Sequence, residues 1–472
     1  MLIETKTKLV ATIGPSSESR ENLMALIKAG VNVVRLNFSH GDHSSHGKII
    51  KLVREISAEI KRPIGILADL QGPRIRVGNL EKLTVKKDEI ILVSDKKTTD
   101  EKELIIDSDG VCSSLQVGER ILIEDGVMRL DIVDKTDNII KAKVINGGEI
   151  KPRKGINVPD TKLGFGAVTE KDKGDLEFAL KNEVDFVALS FVGNAQEILE
   201  TKEKIERILN RNQYLPQIVS KIERKEAIKN LDEIIKASDV IMVARGDLGI
   251  EMEESKVVLY QKEIISKCLM ANKPVIVATQ MLDSMINNPI PTRAEVSDVT
   301  NAVIDNADAV MLSGESANGK YPVEAVKMMK QIIVDVENSQ FKTINSGYLD
   351  DYLFDDYASL INGAHEIAKS SNAKAIVMYS HRGFTARRMS HHRLKQLIIT
   401  ATNDSKTYNQ LALVWGVRAY LFDDRENRER SVDSIIEKVK NEKILNPEDK
   451  IVILLGRTPK DQTAWVGIKK IE

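Results

Sequence analysis

The residue types best suited to chemistry are Lys221 and Glu223, which close a short apolar run through Gln217-Ile218-Val219-Ser220. Side chains alternate along a strand, so the ammonium and the carboxylate share a face while Ile222 points away. A second apolar run, 240–244, leads into Arg245-Gly246-Asp247-Leu248-Gly249 and sets another carboxylate just past another strand. Two acids and a lysine suit a divalent cation working on a phosphorylated or enolisable substrate. In Val33-Val34-Arg35-Leu36-Asn37-Phe38-Ser39-His40-Gly41, an extended strand puts Arg35, Asn37 and Ser39 on one side. The Arg35 guanidinium there suits a phosphate through paired N–H donors; the alternative is a structural arginine paired with a buried carboxylate. Asp69 ends a further apolar run with Arg74 and Arg76 beyond it, and Thr279 follows the run 275–278. Taken singly, each has a plainer explanation as a cap, a salt-bridge partner or a helix N-terminal acid. Capping does not explain why all of them end different strands.

Those strands belong to a βα rhythm. Apolar runs at 9–13, 31–36 and 64–68 alternate with amphipathic segments, and the alternation breaks at Gln71-Gly72-Pro73. Residues 73–168 have another texture, rich in Val, Ile and Lys with turn pairs Asp109-Gly110 and Asp125-Gly126, and read as an inserted all-β domain, a small β-barrel. The rhythm resumes at Thr169-Glu170-Lys171-Asp172, a helix cap, with strands expected at 185–190, 217–221, 239–244, 274–278 and 309–313. With the first three these make a (β/α)8 TIM barrel of the α/β class, built from 1–72 and 169–340, whose catalytic groups belong at the C-terminal strand ends. A helix at 322–338 and a polar linker at 339–356 precede a C-terminal open α/β sheet within 341–472, with strands at 375–379, 397–400, 419–422 and 451–455 and a closing one at 465–468.

The bulk numbers exclude more than they identify. At 472 residues, two or three domains are expected. Hydrophobic residues at 42%, charged residues at 29% and a net charge of -1 give no reason to expect nucleic acid. Cys112 and Cys268 lie far apart and read as core thiols, not a disulfide or zinc site. The charged first ten residues and the lack of any long apolar stretch point away from a membrane and toward the cytoplasm. His40, His43 and His46 have a tempting spacing but no carboxylate or thiol set beside them, so they read as solvated or capping.

The runs Arg35 to Gly41, Ser220-Lys221-Ile222-Glu223, Ala244 to Gly249, Ala278 to Leu282, Pro291 to Val303 and Met311 to Glu315 together resemble the motifs of the pyruvate kinase family, in order and along the whole barrel. The C-terminal third is similar in layout more than in motif. The resemblance implies phosphoryl transfer from phosphoenolpyruvate to ADP, giving ATP and pyruvate, in a homotetramer. It implies that Glu223 and Asp247 hold Mg2+ or Mn2+, that Lys221 and Arg35 grip the moving phosphoryl group, and that the backbone at Arg245 and Gly246 seats the substrate carboxylate. Thr279 matches the residue tied to proton delivery. Asn37, His40, Arg76 and Lys171 map onto nucleotide contacts, and the insert onto a lid that excludes water.

One departure from the family pattern concerns potassium. Members that need K+ bind it with groups matching Asn37, Ser39, Asp69 and a following Thr, with a Glu soon after. Here Leu70 replaces the Thr and Arg74 the Glu, so a fixed guanidinium stands in for the cation, and the chain resembles the potassium-independent branch. The loop Ser380-His381-Arg382-Gly383-Phe384-Thr385 lies where a phosphorylated effector binds in relatives, but it keeps only Ser380 and Thr385 of their hydroxyl-rich pattern. The basic run Gly456-Arg457-Thr458-Pro459-Lys460 is expected to face it. A metal-dependent lyase or aldolase is the rival enzyme, disfavoured by the lid and Lys171; a metabolite-sensing pseudoenzyme is disfavoured by the complete rim.

Overall fold

In the computed structural model the described residues are 5–98, 102–161, 166–209, 215–341, 356–422, 428–456 and 464–472. Eight parallel strands close on themselves: Lys8–Thr12, Val33–Asn37, Gly65–Asp69, Phe186–Leu189, Gln217–Ile222, Val240–Ala244, Val275–Ala278 and Ala309–Leu312. Each is buried on both faces, and the parity of each strand decides what it offers. Val33, Leu67, Ala188 and Val219 point into the barrel with one cluster, while Leu36, Ala68, Leu189 and Ile222 pack outward under the helices. Two residues further along the inward set come Arg35, Asp69, Ser190 and Lys221, so the period of two carries polar groups onto the mouth. The opposite end is stoppered by Ala412 and Leu413, which join the inner cluster from the C-terminal part of the chain.

The insert leaves the barrel after Asp69 and returns before the helix Glu170–Lys181. That helix starts where expected: Thr169 and Asp172 form a reciprocal capping box, and the buried Asp172 carboxylate also accepts from Gly72 N at 3.2 Å. One carboxylate therefore ties the exit and the return of the insert together. Gly72 sits at φ 68, and a Cβ there would lie 2.9 Å from Ser190 Cβ, so glycine is required by both conformation and space. Within the insert a seven-stranded sheet runs from Ile75–Arg76 at one edge to Glu103–Ile105 at the other, and a bridge between Val77 and Ile106 joins the edges into a small barrel. It is not purely β: Asp109-Gly110, expected to be a plain turn, starts the short helix Val111–Ser114, with Gly110 as its left-handed cap. Asp125-Gly126 does turn a hairpin between Arg120–Ile123 and Met128–Thr136.

The C-terminal sheet has the order Val417–Leu421, Leu397–Thr402, Ala375–Tyr379, Lys450–Leu455, Trp465–Lys470, parallel except for the antiparallel last strand. It is pinned to the barrel base by a fully buried pair, Arg393 to Asp308 at 2.9 Å. Most of the linker, 342–355, and the basic residues 457–460 lie outside the described residues. Cys112 and Cys268 are free and buried, as expected, and burial pushes both thiols upward.

Candidate active site

The mouth is built around Asp69. Its Oδ2 accepts from Arg35 Nε at 2.6 Å and its Oδ1 lies 3.4 Å from Lys221 Nζ, so one buried carboxylate positions both cations. Burial alone would raise the Asp69 pKa, but Lys221 and Arg35 outweigh it and hold the group below its usual range. Arg35 is fixed a second time by Thr12 Oγ1 at 2.9 Å. Lys221 donates to Ser190 Oγ at 2.8 Å and lies 2.9 Å from Glu223 Oε1. Burial works against its charge, yet Asp69 and Glu223 prevail and raise its pKa.

Glu223 is the least satisfied member. Its Oε2 accepts from Phe191 N at 2.6 Å, but Oε1 is buried without a well-aligned hydrogen bond. Burial, with the nearby Asp247 charge adding to it, pushes the carboxyl up to about 7. A buried carboxylate oxygen held only by the Lys221 ammonium, beside a second acid, is what a divalent cation would complete. Asp247 lies in the first turn of Arg245–Glu251, at the edge of a cleft shared with Phe191, Arg224 and Asp125. Two protein carboxylates suit Mg2+ or Mn2+, which keep the rest of their shell for substrate oxygens and water. Among the described residues no group of three or more His, Cys, Asp or Glu gathers to hold a metal, at the mouth or elsewhere.

On the facing side, Thr279 and Gln280 leave the seventh strand at φ 67 and φ 53. Gly246 N donates to Thr279 Oγ1 at 2.8 Å, and that hydroxyl donates to Ala278 O at 2.6 Å. The Arg245 side chain turns away from the mouth and is buried against this turn, so only its backbone is near the position the resemblance gives it. Asn37 and Asp69 are register partners, and Asn37 Oδ1 accepts from Ser39 N at 3.1 Å. Lys171 reaches over to donate to Phe38 O at 2.7 Å and to Asp175 Oδ2 at 2.6 Å, which brings it to the Asn37–His40 segment. Arg76 is not drawn to that group; its NH1 donates to Arg153 O at 3.0 Å inside the insert. His40 is exposed, but the expectation of solvated or capping histidines fails for His46, which is buried, stacks on Phe38 at 4.4 Å and bonds His40 O. His43 stacks on Phe178 and bonds Asp175 Oδ1, while Asp42 does the capping. Aromatic neighbours, invisible in the local spacing, decide these positions.

Leu70 is buried among outer-core residues, and the exposed Arg74 lines the cleft beside Asp247. In the C-terminal domain Ser380 and Thr385 are buried, His381 and Arg382 are exposed, and Gly383 at φ 72 opens the helix Phe384–His391. His381 Nδ1 is engaged with Asn403 Oδ1 at 2.7 Å. Sequence reasoning missed Ser190, Thr12, Asp175 and Glu315, and it gave Asp172 only as part of a helix cap. Ser190 had a detectable signal, since it directly follows the fourth strand in the same inward parity as Lys221. The buried Glu315, which accepts from Leu282 N at 3.0 Å and Ser313 N at 2.7 Å, had none beyond its place in a motif.

Fold and site together define a barrel enzyme with an inserted cap and a charged mouth suited to an anionic substrate and a divalent metal. The family profile for the pyruvate kinase barrel domain matches residues 4–326, and that for the pyruvate kinase alpha/beta domain matches 358–464. The chain is 40% identical over 476 residues to the pyruvate kinase of Geobacillus stearothermophilus, covering 99% of this chain and 80% of that protein. It is 41% identical over 479 residues to that of Staphylococcus haemolyticus, with the same coverage. A crystal structure of a pyruvate kinase from Cryptosporidium parvum superposes with a TM-score of 0.93 at 35% identity, covering 99% of this chain and 96% of that one. The chain belongs to the pyruvate kinase family and is a phosphotransferase. Among the described residues no helix is long and apolar enough to cross a membrane.

Proposed function

We propose that the chain transfers the phosphoryl group of phosphoenolpyruvate to ADP, yielding pyruvate and ATP. The observation that carries this reading is the Arg35–Asp69–Lys221–Glu223 cluster, with the buried Glu223 carboxylate close to a second acid, Asp247. Arg35 and Lys221, held by one carboxylate, present fixed positive charge to the moving phosphoryl group, and Ser190 and Thr12 keep them from relaxing onto other partners. Glu223 and Asp247 would hold the divalent ion, which when bound supplies further positive charge to the substrate's oxygens. The Gly246 N–H is engaged by Thr279 Oγ1, so an arriving carboxylate takes over that donor, and the hydroxyl then turns its proton from Ala278 O toward the enolate carbon. Asn37, His40, Lys171 and, from the lid, Arg76 serve the nucleotide. Residues 73–168 act as the lid on the barrel of 1–72 and 169–340, with 341–472 as the effector and assembly domain of a cytoplasmic homotetramer. A coupled assay with phosphoenolpyruvate, ADP and Mg2+ tests the claim; absence of ATP formation refutes it.

A second reading concerns potassium. Leu70 offers only a backbone carbonyl, already taken by Ser190 Oγ at 2.8 Å, and Arg74 places a guanidinium in the cleft. Turnover is therefore independent of K+, and a rate rising more than about tenfold on adding KCl to a K+-free assay would refute this. A phosphorylated effector at Ser380, His381, Arg382, Gly383 and Thr385 is supported by the left-handed Gly383 opening a helix. Calorimetric titration with sugar phosphates and nucleotides tests it, and silence from all of them rejects it.

A further inference from the structure

The turn that carries Thr279 is held in a conformation it would not adopt unaided. Thr279 at φ 67 is β-branched in the left-handed region, and Gln280 at φ 53 follows it there. Side chains with a branched Cβ are disfavoured at positive φ, and two non-glycine residues there in succession require outside support. Most of the support to its carbonyls comes from one side chain. In a left-handed turn successive carbonyls point the same way, and here they converge on the Arg245 guanidinium: Thr279 O at 2.7 Å, Gln280 O at 3.2 Å and Ala278 O at 3.3 Å. The guanidinium is buried and is aimed by Asp298, whose Oδ2 lies 2.6 Å from NH1. From the other side, Glu315 accepts from Leu282 N and closes the turn. Arg245 also begins the helix that carries Gly246, the donor to Thr279 Oγ1.

We infer that the Arg245 side chain is a positioning residue, which holds the Thr279 hydroxyl where it can deliver a proton to the enolate. The inference rests on the role proposed above for Thr279. In that step the enolate carbon takes a proton from the Thr279 hydroxyl, directly or through water, a C–H bond forms, and the hydroxyl is reprotonated from solvent. Run backwards, the same step exchanges the methyl hydrogens of pyruvate with solvent, and this exchange can be read without phosphoryl transfer. Asp298 acts one step further back, by orienting the guanidinium.

The test follows deuterium entry into the methyl group of pyruvate by NMR, using the full chain with Mg2+ and ATP, alongside steady-state turnover. Arg245→Met is expected to slow exchange by about tenfold or more, while KM for phosphoenolpyruvate changes by less than about threefold. Adding Gln280→Gly should recover a substantial part of the exchange, because glycine adopts the left-handed conformation without the guanidinium. A merely structural arginine would move melting temperature, KM and kcat together and would gain nothing selectively from that glycine. Exchange within about twofold of the parent in Arg245→Met, or no gain in the double variant, overturns the inference. If Arg245→Met fails to fold, Asp298→Asn carries the test, with slowed exchange expected and an unchanged rate overturning it. Thr279→Ala separates the two readings. Parental exchange in Thr279→Ala removes the proton role and this inference with it, whereas slow exchange there with parental exchange in Arg245→Met removes the positioning role alone.

Discussion

Replacing Lys221 by methionine removes a charge while keeping most of the side-chain volume. The ammonium is fixed by three neighbours, Ser190 Oγ at 2.8 Å, Glu223 Oε1 at 2.9 Å and Asp69 Oδ1 at 3.4 Å, so it meets the reacting group already oriented. A unit charge about 4 Å from a phosphoryl oxygen, at an effective dielectric constant of about 20, is worth about 4 kcal/mol. If that interaction strengthens only as charge develops, kcat falls by about a thousandfold. Glu223 and Asp247 are untouched, so Mn2+ affinity measured by EPR, and KM for phosphoenolpyruvate, should each stay within about threefold. Stability is affected as well. Asp69 keeps Arg35 at 2.6 Å, but Glu223 loses its nearest cation, and breaking a buried pair of this kind costs about 3 kcal/mol. Kinetics should therefore be measured well below the melting temperature of the variant, determined separately. A folded Lys221→Met enzyme whose kcat lies within about tenfold of the parent would refute the assignment.

Three further outcomes follow from other parts of the molecule. Burial, aided by His365 at a ring distance of 4.7 Å, lowers His392 from 6.5 to about 4, so it stays neutral in the fold while the unfolded chain protonates it. Stability is then full above pH 6.5 and is lost as pH falls toward 4, by about 2 kcal/mol at pH 5; denaturant melts of His392→Phe should show a shallower acid loss, and an unchanged slope rejects the claim. Gly72→Ala forces a Cβ to within 2.9 Å of Ser190 Cβ at a positive φ, so it should destabilise by about 1–2 kcal/mol and, by moving the partner of Lys221, lower kcat more than KM. Arg393→Met leaves Asp308 buried at the junction of barrel and C-terminal domain and should cost about 3 kcal/mol in thermal or denaturant unfolding; a loss under about 1 kcal/mol would show that the pair does not hold the junction.

The barrel was legible because its evidence is periodic. Eight apolar runs of similar length, separated by amphipathic stretches, allow few closed arrangements, and the strands lie within a residue or two of their expected bounds. The rim was legible for a related reason: parity along Val219-Ser220-Lys221-Ile222-Glu223 orients each side chain before any tertiary contact is known. Where the decisive neighbour is distant in sequence, parity is silent. His46 owes its burial to Phe38, and Asp172 holds Gly72, a hundred positions earlier, because the insert must leave and re-enter at one place.

Arg245 shows where that limit falls within the site itself. The resemblance gives work only to its backbone beside Gly246, and nothing in Ala244 to Gly249 says where its guanidinium goes. The side chain goes to carbonyls 33 to 35 positions away, because two successive left-handed residues leave them pointing at one buried spot that only a planar, multiply donating cation can fill. Thr279 and Gln280 give no composition signal for that conformation, since neither is glycine. The motif around Asp247 thus serves two ends. Its acid lies close to Glu223, while its arginine is spent on the turn at Thr279, and one short helix thus reaches both places.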